Sequence, residues 1–180
     1  DAKPDERAAL KRGALGIVDF VEREWNHPSG GFLSALDADS EGVEGKYYVW
    51  TEADLRSLLS AEEFELIRTV YGIGGASAWT EEIPDANVLM RWKDDEALAN
   101  KLNLRAPEMR EKLESAHAKM LNVRDQRIPP GLDDKVLTAW TALMASGLVA
   151  TGVVFEREQD IERARTAMDF ILKTQRDDDG

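Results

Sequence analysis

Val136-Leu137-Thr138-Ala139-Trp140-Thr141-Ala142-Leu143-Met144-Ala145-Ser146-Gly147-Leu148-Val149-Ala150-Thr151-Gly152-Val153-Val154-Phe155 is a run of twenty residues without a charge. How it is read decides the fold. Its length is close to the minimum for a membrane span. It also carries Thr138, Thr141, Ser146, Gly147, Thr151 and Gly152, and no Lys/Arg cluster flanks it. Hydroxyls are costly in lipid. The run is therefore read as a helix over about 135–151, buried inside a helical core, with no membrane partner. An amphipathic helix follows from about Glu156 to Thr174, with Ile161, Ala164, Met168 and Ile171 on its buried side.

Upstream, Leu10, Ala14, Ile17, Val21 and Trp25 recur at helical spacing and predict a first helix from about Pro4 to Trp25. Pro28 and Gly30 stop it. Thr51-Glu52-Ala53-Asp54 and Ser60-Ala61-Glu62-Glu63 read as capping boxes, so helices are expected over 52–59 and 61–71. Further helices are expected near 94–102 and 107–122, before the hard break Ile128-Pro129-Pro130-Gly131. Tyr47 to Trp50 is expected to pair as a short strand with Gly31 to Ser34, and a second strand is expected around Val88 to Arg91.

A weak internal repeat points to the architecture. Asp19-Phe20 precedes Gly30 by the spacing that separates Asp169-Phe170 from Gly180. Apolar and amphipathic helices in alternation suggest helical hairpins of an α/α toroid. The fold expected is all-α with a small β-hairpin insertion: one domain over residues 1–180, forming part of an (α/α)6 toroid.

Composition narrows the function. A net charge of −12 argues against nucleic-acid binding, which needs clustered Lys and Arg. The absence of cysteine removes disulfides, thiolate metal sites and cysteine nucleophiles within these residues. The opening Asp1-Ala2-Lys3-Pro4-Asp5-Glu6 lacks the apolar core of a cleavable signal. A cytoplasmic location is the favoured expectation, and no cofactor or metal is expected. The Asp-x-Asp-x-Glu-Gly order at Asp37 resembles half a calcium loop, but Tyr48 stands where an EF-hand needs its bidentate glutamate.

The chemistry-bearing residues lie on two segments. Gly30-Gly31-Phe32-Leu33-Ser34-Ala35-Leu36-Asp37-Ala38-Asp39-Ser40-Glu41-Gly42 joins glycines, an aromatic and carboxylates, and runs on through Gly45-Lys46 to Tyr47-Tyr48-Val49-Trp50-Thr51. Leu132-Asp133-Asp134-Lys135-Val136-Leu137-Thr138-Ala139-Trp140 is the other. Together with His27-Pro28-Ser29 ahead of the first, they resemble the YyaL-like family, also called spermatogenesis-associated protein 20-like. Asn87-Val88-Leu89 is similar to the family's short Asn-Ile-Leu element. The resemblance covers the chain from about Gly13 onward.

That resemblance implies a thioredoxin-like domain elsewhere in the parent chain as a partner. It also implies a toroid similar to those of N-acylglucosamine 2-epimerases and six-hairpin glycosidases, with no established reaction. Thr141 stands where the family usually has Asn.

The function expected is a carbohydrate-active or carbohydrate-binding domain; if it is an enzyme, it is a sugar-processing hydrolase or isomerase. Asp37, Asp39 and Asp134 are the candidate acid, base or hydroxyl ligands, because glycoside hydrolysis needs two carboxyl groups roughly 5–10 Å apart. Gly31, Phe32, Lys46, Trp50, Asp133, Lys135 and Trp140 are the candidate ligand-binding residues. Local roles compete with these. Asp37 and Asp39 also suit turns, and one of Asp133 and Asp134 suits a helix cap. Sugar epimerases of this fold use histidines, and here only His27 is suitably placed, since His117 reads as exposed on a helix. The alternative is a non-catalytic scaffold that docks a redox domain or client protein, with self-association through apolar helix faces.

Overall fold

The computed structural model describes residues 4–75, 78–79, 82–91 and 93–176. In chain order the elements are α1 (Pro4–Glu24), β1 (Ala35–Leu36), β2 (Asp39–Ser40), β3 (Val43–Glu44), β4 (Trp50–Thr51), α2 (Glu52–Leu58) and α3 (Ala61–Tyr71). There follow β5 (Ala78–Trp79), β6 (Ala86–Asn87), α4 (Asp95–Lys101), α5 (Ala106–Arg124), β7 (Leu132–Asp133), α6 (Thr138–Phe155) and α7 (Glu158–Thr174). The described residues are thus mostly helical, with two- and three-stranded scraps of sheet, and a closed toroid is not among them. They form two compact units, one from the segment ending at Leu36 with that starting at Leu132, the other from Asp37 to Gly131.

In the first unit α6 and α7 form a hairpin. Thr141, Ala145, Leu148 and Gly152 line one stripe of α6, and Asp160, Ala164, Ala167 and Ile171 one stripe of α7. Both follow the three-four spacing of a single helix face. Small residues let the two backbones close up: a Cβ on Gly152 would stand 2.5 Å from Ile161 Cγ1. The expectation of a helix buried inside a helical core is corrected here, because only 22% of α6 is buried. One stripe meets α7, and Leu143 (72% exposed) and Val154 (69%) face solvent. By length and composition α6 is also long and apolar enough to cross a membrane.

α1 lies against α6 through a face that keeps Val21 and Trp25 of the expected stripe but not Leu10 and Ile17. Val18 and Val21 are buried with Phe32, Ala145 and Leu148, whereas Leu10 and Ile17 are exposed. α1 carries apolar residues around more than one face, and its partner selects which of them is used. The hairpin is locked by Asp160, which is fully buried. Its Oδ2 accepts from Thr151 Oγ1 at 3.0 Å and pairs with Arg157 Nε at 3.0 Å. The glycine that closes the proposed sequence repeat, Gly180, lies outside the described residues.

The second unit packs α2, α3, α4 and α5 around Leu55, Phe64, Ile67, Leu98 and Met109. Both capping boxes are present as expected. The β pairing differs from expectation. β4 pairs with β6 instead of with Gly31 to Ser34, and the expected strand at Val88 to Arg91 is displaced to Ala86–Asn87. Asn87 is the cause: at 1% exposure its Oδ1 accepts from Gly74 N, and its Nδ2 donates to Trp50 O and Asp85 O.

Removing one member of a buried, hydrogen-bonded charge pair leaves the other stranded. Asp160→Ala is expected to destabilise the chain by about 2–3 kcal/mol. Urea unfolding followed by circular dichroism measures this, with Asp169→Ala, on the exposed side of α7, as the control.

Candidate functional site

The first unit holds Gly31, Phe32, Asp133, Asp134, Lys135 and Trp140. Its two motif segments meet as the antiparallel ladder β1–β7, with Ala35 opposite Asp133 and Leu36 opposite Leu132. Ser34 Oγ donates to Asp133 O at 3.3 Å. Gly31 is required by contact: a Cβ there would meet Val136 Cγ1 at 2.5 Å and the Phe170 ring at 3.1 Å. Phe32 is buried in the core, with the Arg163 guanidinium 5.7 Å from its ring centroid. Gly31 and Phe32 therefore join the two segments by packing.

Neither aspartate caps α6, whose N-cap is Leu137 with no side-chain bond. The helix starts three residues later than expected, and Asp133 lies in β7. Its Oδ1 accepts from Lys135 N at 3.2 Å and its Oδ2 pairs with Lys135 Nζ at 3.1 Å. The Lys135 ammonium and backbone N–H hold the Asp133 carboxyl below its usual value. Asp134 is exposed, and Trp140 is 54% exposed. His27 Nδ1 accepts from Ser29 N at 3.1 Å beside the glycines.

The second unit holds Asp37, Asp39, Lys46 and Trp50. Asp37 and Asp39 are exposed. Asp37 N donates to Gly131 O, and its carboxylate lies where a Gly131 side chain would be. Asp39 opens a tight hairpin, β2–β3, whose two turn residues Glu41 and Gly42 have φ of 55° and 76°. Two positive φ angles are what a two-residue hairpin turn requires. Lys46 Nζ reaches back to Glu41 at 2.7 Å.

Trp50 is only 3% exposed, and one face of its ring is covered by the Arg127 guanidinium at 4.1 Å. Arg127 Nη1 donates to Tyr47 O at 2.9 Å and Val49 O at 2.8 Å. Burial pushes the Arg127 guanidinium below its ordinary value, helped by repulsion from Arg124 and opposed by Asp54. It remains a cation.

Around Arg127 lies a cleft of about 460 Å³, lined among others by Glu41, Lys46, Thr51, Asp54 and Gln126. Of the residues singled out from sequence, Lys46 lines it, with Glu41 of the same acidic loop. Arg127, Thr51 and Gln126 were missed as ligand groups. Arg127 stands just before Ile128-Pro129-Pro130, where the sequence signals only a break.

A second hollow, of about 430 Å³, is bordered by Trp50, Tyr48, His117 and Arg124. His117 is half-buried, not exposed as expected, because Tyr71 packs over it and its Nε2 lies 2.7 Å from Tyr71 Oη. Burial, with repulsion from Arg91, lowers the His117 pKa against an opposing pull from Glu114.

The chain is 33% identical to human spermatogenesis-associated protein 20 over 89% of its own length and 23% of that protein's. The mouse protein of the same name gives 32% over the same shares. A Caenorhabditis elegans protein gives 29% over 82% of this chain. No family model matches.

The similarity is to the spermatogenesis-associated protein 20-like family, whose motifs the two segments resemble. The chain is homologous to one region of its members and spans about a quarter of the length of the curated relatives it matches.

The lowered His117 pKa has a consequence for stability. An unfolded histidine binds its proton near pH 6.5, while folded His117 resists doing so. The contribution is fully present above about pH 7 and is lost as pH falls through 6.5 toward the folded value. Thermal melts of the parent and of His117→Gln between pH 7.5 and 5.5 are expected to show a steeper loss in the parent. Parallel profiles would remove His117 as the cause.

Proposed function

We propose that the chain binds a polyhydroxylated small molecule of the carbohydrate class, in the cleft beside Arg127. The observation that carries this reading is the composition of the cleft wall. Sugar hydroxyls each donate and accept, and the wall offers both roles: donors on Lys46 and Arg127, acceptors on Glu41 and Asp54, and both on Thr51 and Gln126. Its volume of about 460 Å³ lies in the range of small-molecule sites.

The reading stops at binding. A glycosidase needs one carboxyl group kept protonated by a desolvated setting. Asp37, Asp39 and Asp134 are all exposed to water, which suits hydroxyl ligation better than acid catalysis. Hydrolase or isomerase activity, and completion of an (α/α)6 toroid beside a thioredoxin-like domain, belong to the whole parent protein as proposals.

Nuclear magnetic resonance titration of the 15N-labelled chain with glucose, N-acetylglucosamine and maltose tests the reading. Amide shifts are expected at Lys46, Thr51 and Gln126. Shifts confined to other segments, or none with any sugar at millimolar concentration, would overturn it.

The apolar surface of α6 favours a second reading, that of a scaffold that associates through this helix. In a chain of net charge −12, an uncharged helix of 18 residues is where two copies can meet without opposing like charges. The occupant proposed is a second copy. Sedimentation velocity is expected to show dimers or larger species that dissociate in Leu143→Glu. A monodisperse monomer at 50 μM would end this reading.

A further inference from the structure

The Arg127 guanidinium uses only part of its donor set on the protein. Nη1, with two hydrogens, serves the Tyr47 and Val49 carbonyls and lies 3.5 Å from Lys46 O. Nε and both hydrogens of Nη2 have no partner among the described residues, yet neither nitrogen is sealed from solvent. Arg127 lines the cleft, and these three N–H groups are the donors it has left to offer a ligand there. One ring face of Trp50, stacked at 4.1 Å, and the two carbonyls fix the plane of the fork.

The acids nearby are already engaged. Asp54 Oδ2 accepts from Thr51 N at 3.2 Å in the α2 capping box, and Glu41 pairs with Lys46 at 2.7 Å. Asp125 pairs with Arg124 at 2.9 Å. Among the described residues no carboxylate forms an ion pair with Arg127. A half-buried, immobilised guanidinium presenting two adjacent nitrogens is matched by an oxyanion that accepts from both at once. The second cation on the wall, Lys46, retains two ammonium hydrogens beyond the one directed at Glu41.

We infer that the ligand of this cleft carries an oxyanion, a carboxylate or a phosphate, which docks on Nε and Nη2 of Arg127 while Thr51, Gln126 and Lys46 meet its hydroxyls. A sugar acid and a sugar phosphate share this chemistry. The inference rests on the polyol reading above and adds the charge of the ligand to it. It also separates the residue's two roles: Nη1 holds the 45–50 loop, and the opposite edge reads the ligand.

The test is isothermal titration of the full chain at fixed ionic strength with glucose, glucuronate, glucose 6-phosphate and inorganic phosphate. Glucuronate or glucose 6-phosphate is expected to bind at least tenfold tighter than glucose, and to weaken as salt rises. Whichever of the two binds tighter identifies the oxyanion. Arg127→Lys keeps the charge but loses the fork, and is expected to erase most of that tenfold preference. Should Arg127→Lys fail to fold, Lys46→Gln, which leaves the loop staple intact, removes a hydroxyl contact from every ligand and a charge from the anions, and is expected to cost the charged ligands about threefold more than it costs glucose.

Equal affinity for glucose and the charged sugars would overturn the oxyanion inference and leave the polyol reading standing. Inorganic phosphate binding as tightly as glucose 6-phosphate would do the reverse. An unchanged preference in both variants would place the anion elsewhere and overturn the inference.

Discussion

Buried carbonyl groups without a strand partner are the constraint on which the second unit depends. The segment from Gly45 to Thr51 buries Tyr47, Val49 and Trp50, yet only Trp50 and Thr51 belong to a ladder. An unpaired buried carbonyl costs about as much as a lost hydrogen bond. Two side chains remote in sequence meet the need, Arg127 for Tyr47 O and Val49 O and Asn87 for Trp50 O. Asn87 also takes the amide of Gly74, which ties the loop after α3 to the same sheet. The cleft exists because these donors hold its rim, so the residue that shapes the site is also one that lines it.

The first unit rests on a different economy. The α6–α7 hairpin is close-packed through alanine and glycine, so few atoms separate the helices and each contact is short. Asp160 and Arg157 place a charge pair at the closed end of the hairpin. Pairs of this kind add little net stability compared with apolar packing, but they penalise any register that separates them. The rest of α6 is apolar and open, which is why one helix accounts for both the bilayer-like composition and the proposed association surface.

Much of this was legible in local sequence. The Ser60 capping box was enough to set the start of α3, and the bounds agree with the expected 61–71. The buried stripe of α7 was half right: Ala164 and Ile171 are buried, whereas Met168 is exposed and the fully buried polar member is Asp160. On α1 the period was right and the face only partly so, with Val21 and Trp25 turned to the core and Leu10 and Ile17 to solvent, since periodicity marks which residues align but not which side finds a partner. The strands were not legible. Each is two residues long, too short to show alternation. The motif residues were legible as a group, but not their division of labour, because packing at Gly31 and Phe32 and hydrogen bonding at Asn87 look the same in sequence as ligand contact.

The sequence by itself determined the helices, the caps of α2 and α3, the acidic charge and the family resemblance, since these follow from spacing and residue type within a dozen neighbours or from matching motifs. Tertiary structure alone decided which apolar faces are covered, which strands pair, and that Arg127 is a site residue. A guanidinium becomes fixed, half-buried and free of carboxylates only when carbonyls and an indole from 77 to 81 residues away in the chain close around it. Distances of that order are set by folding, and no local pattern in the chain records them.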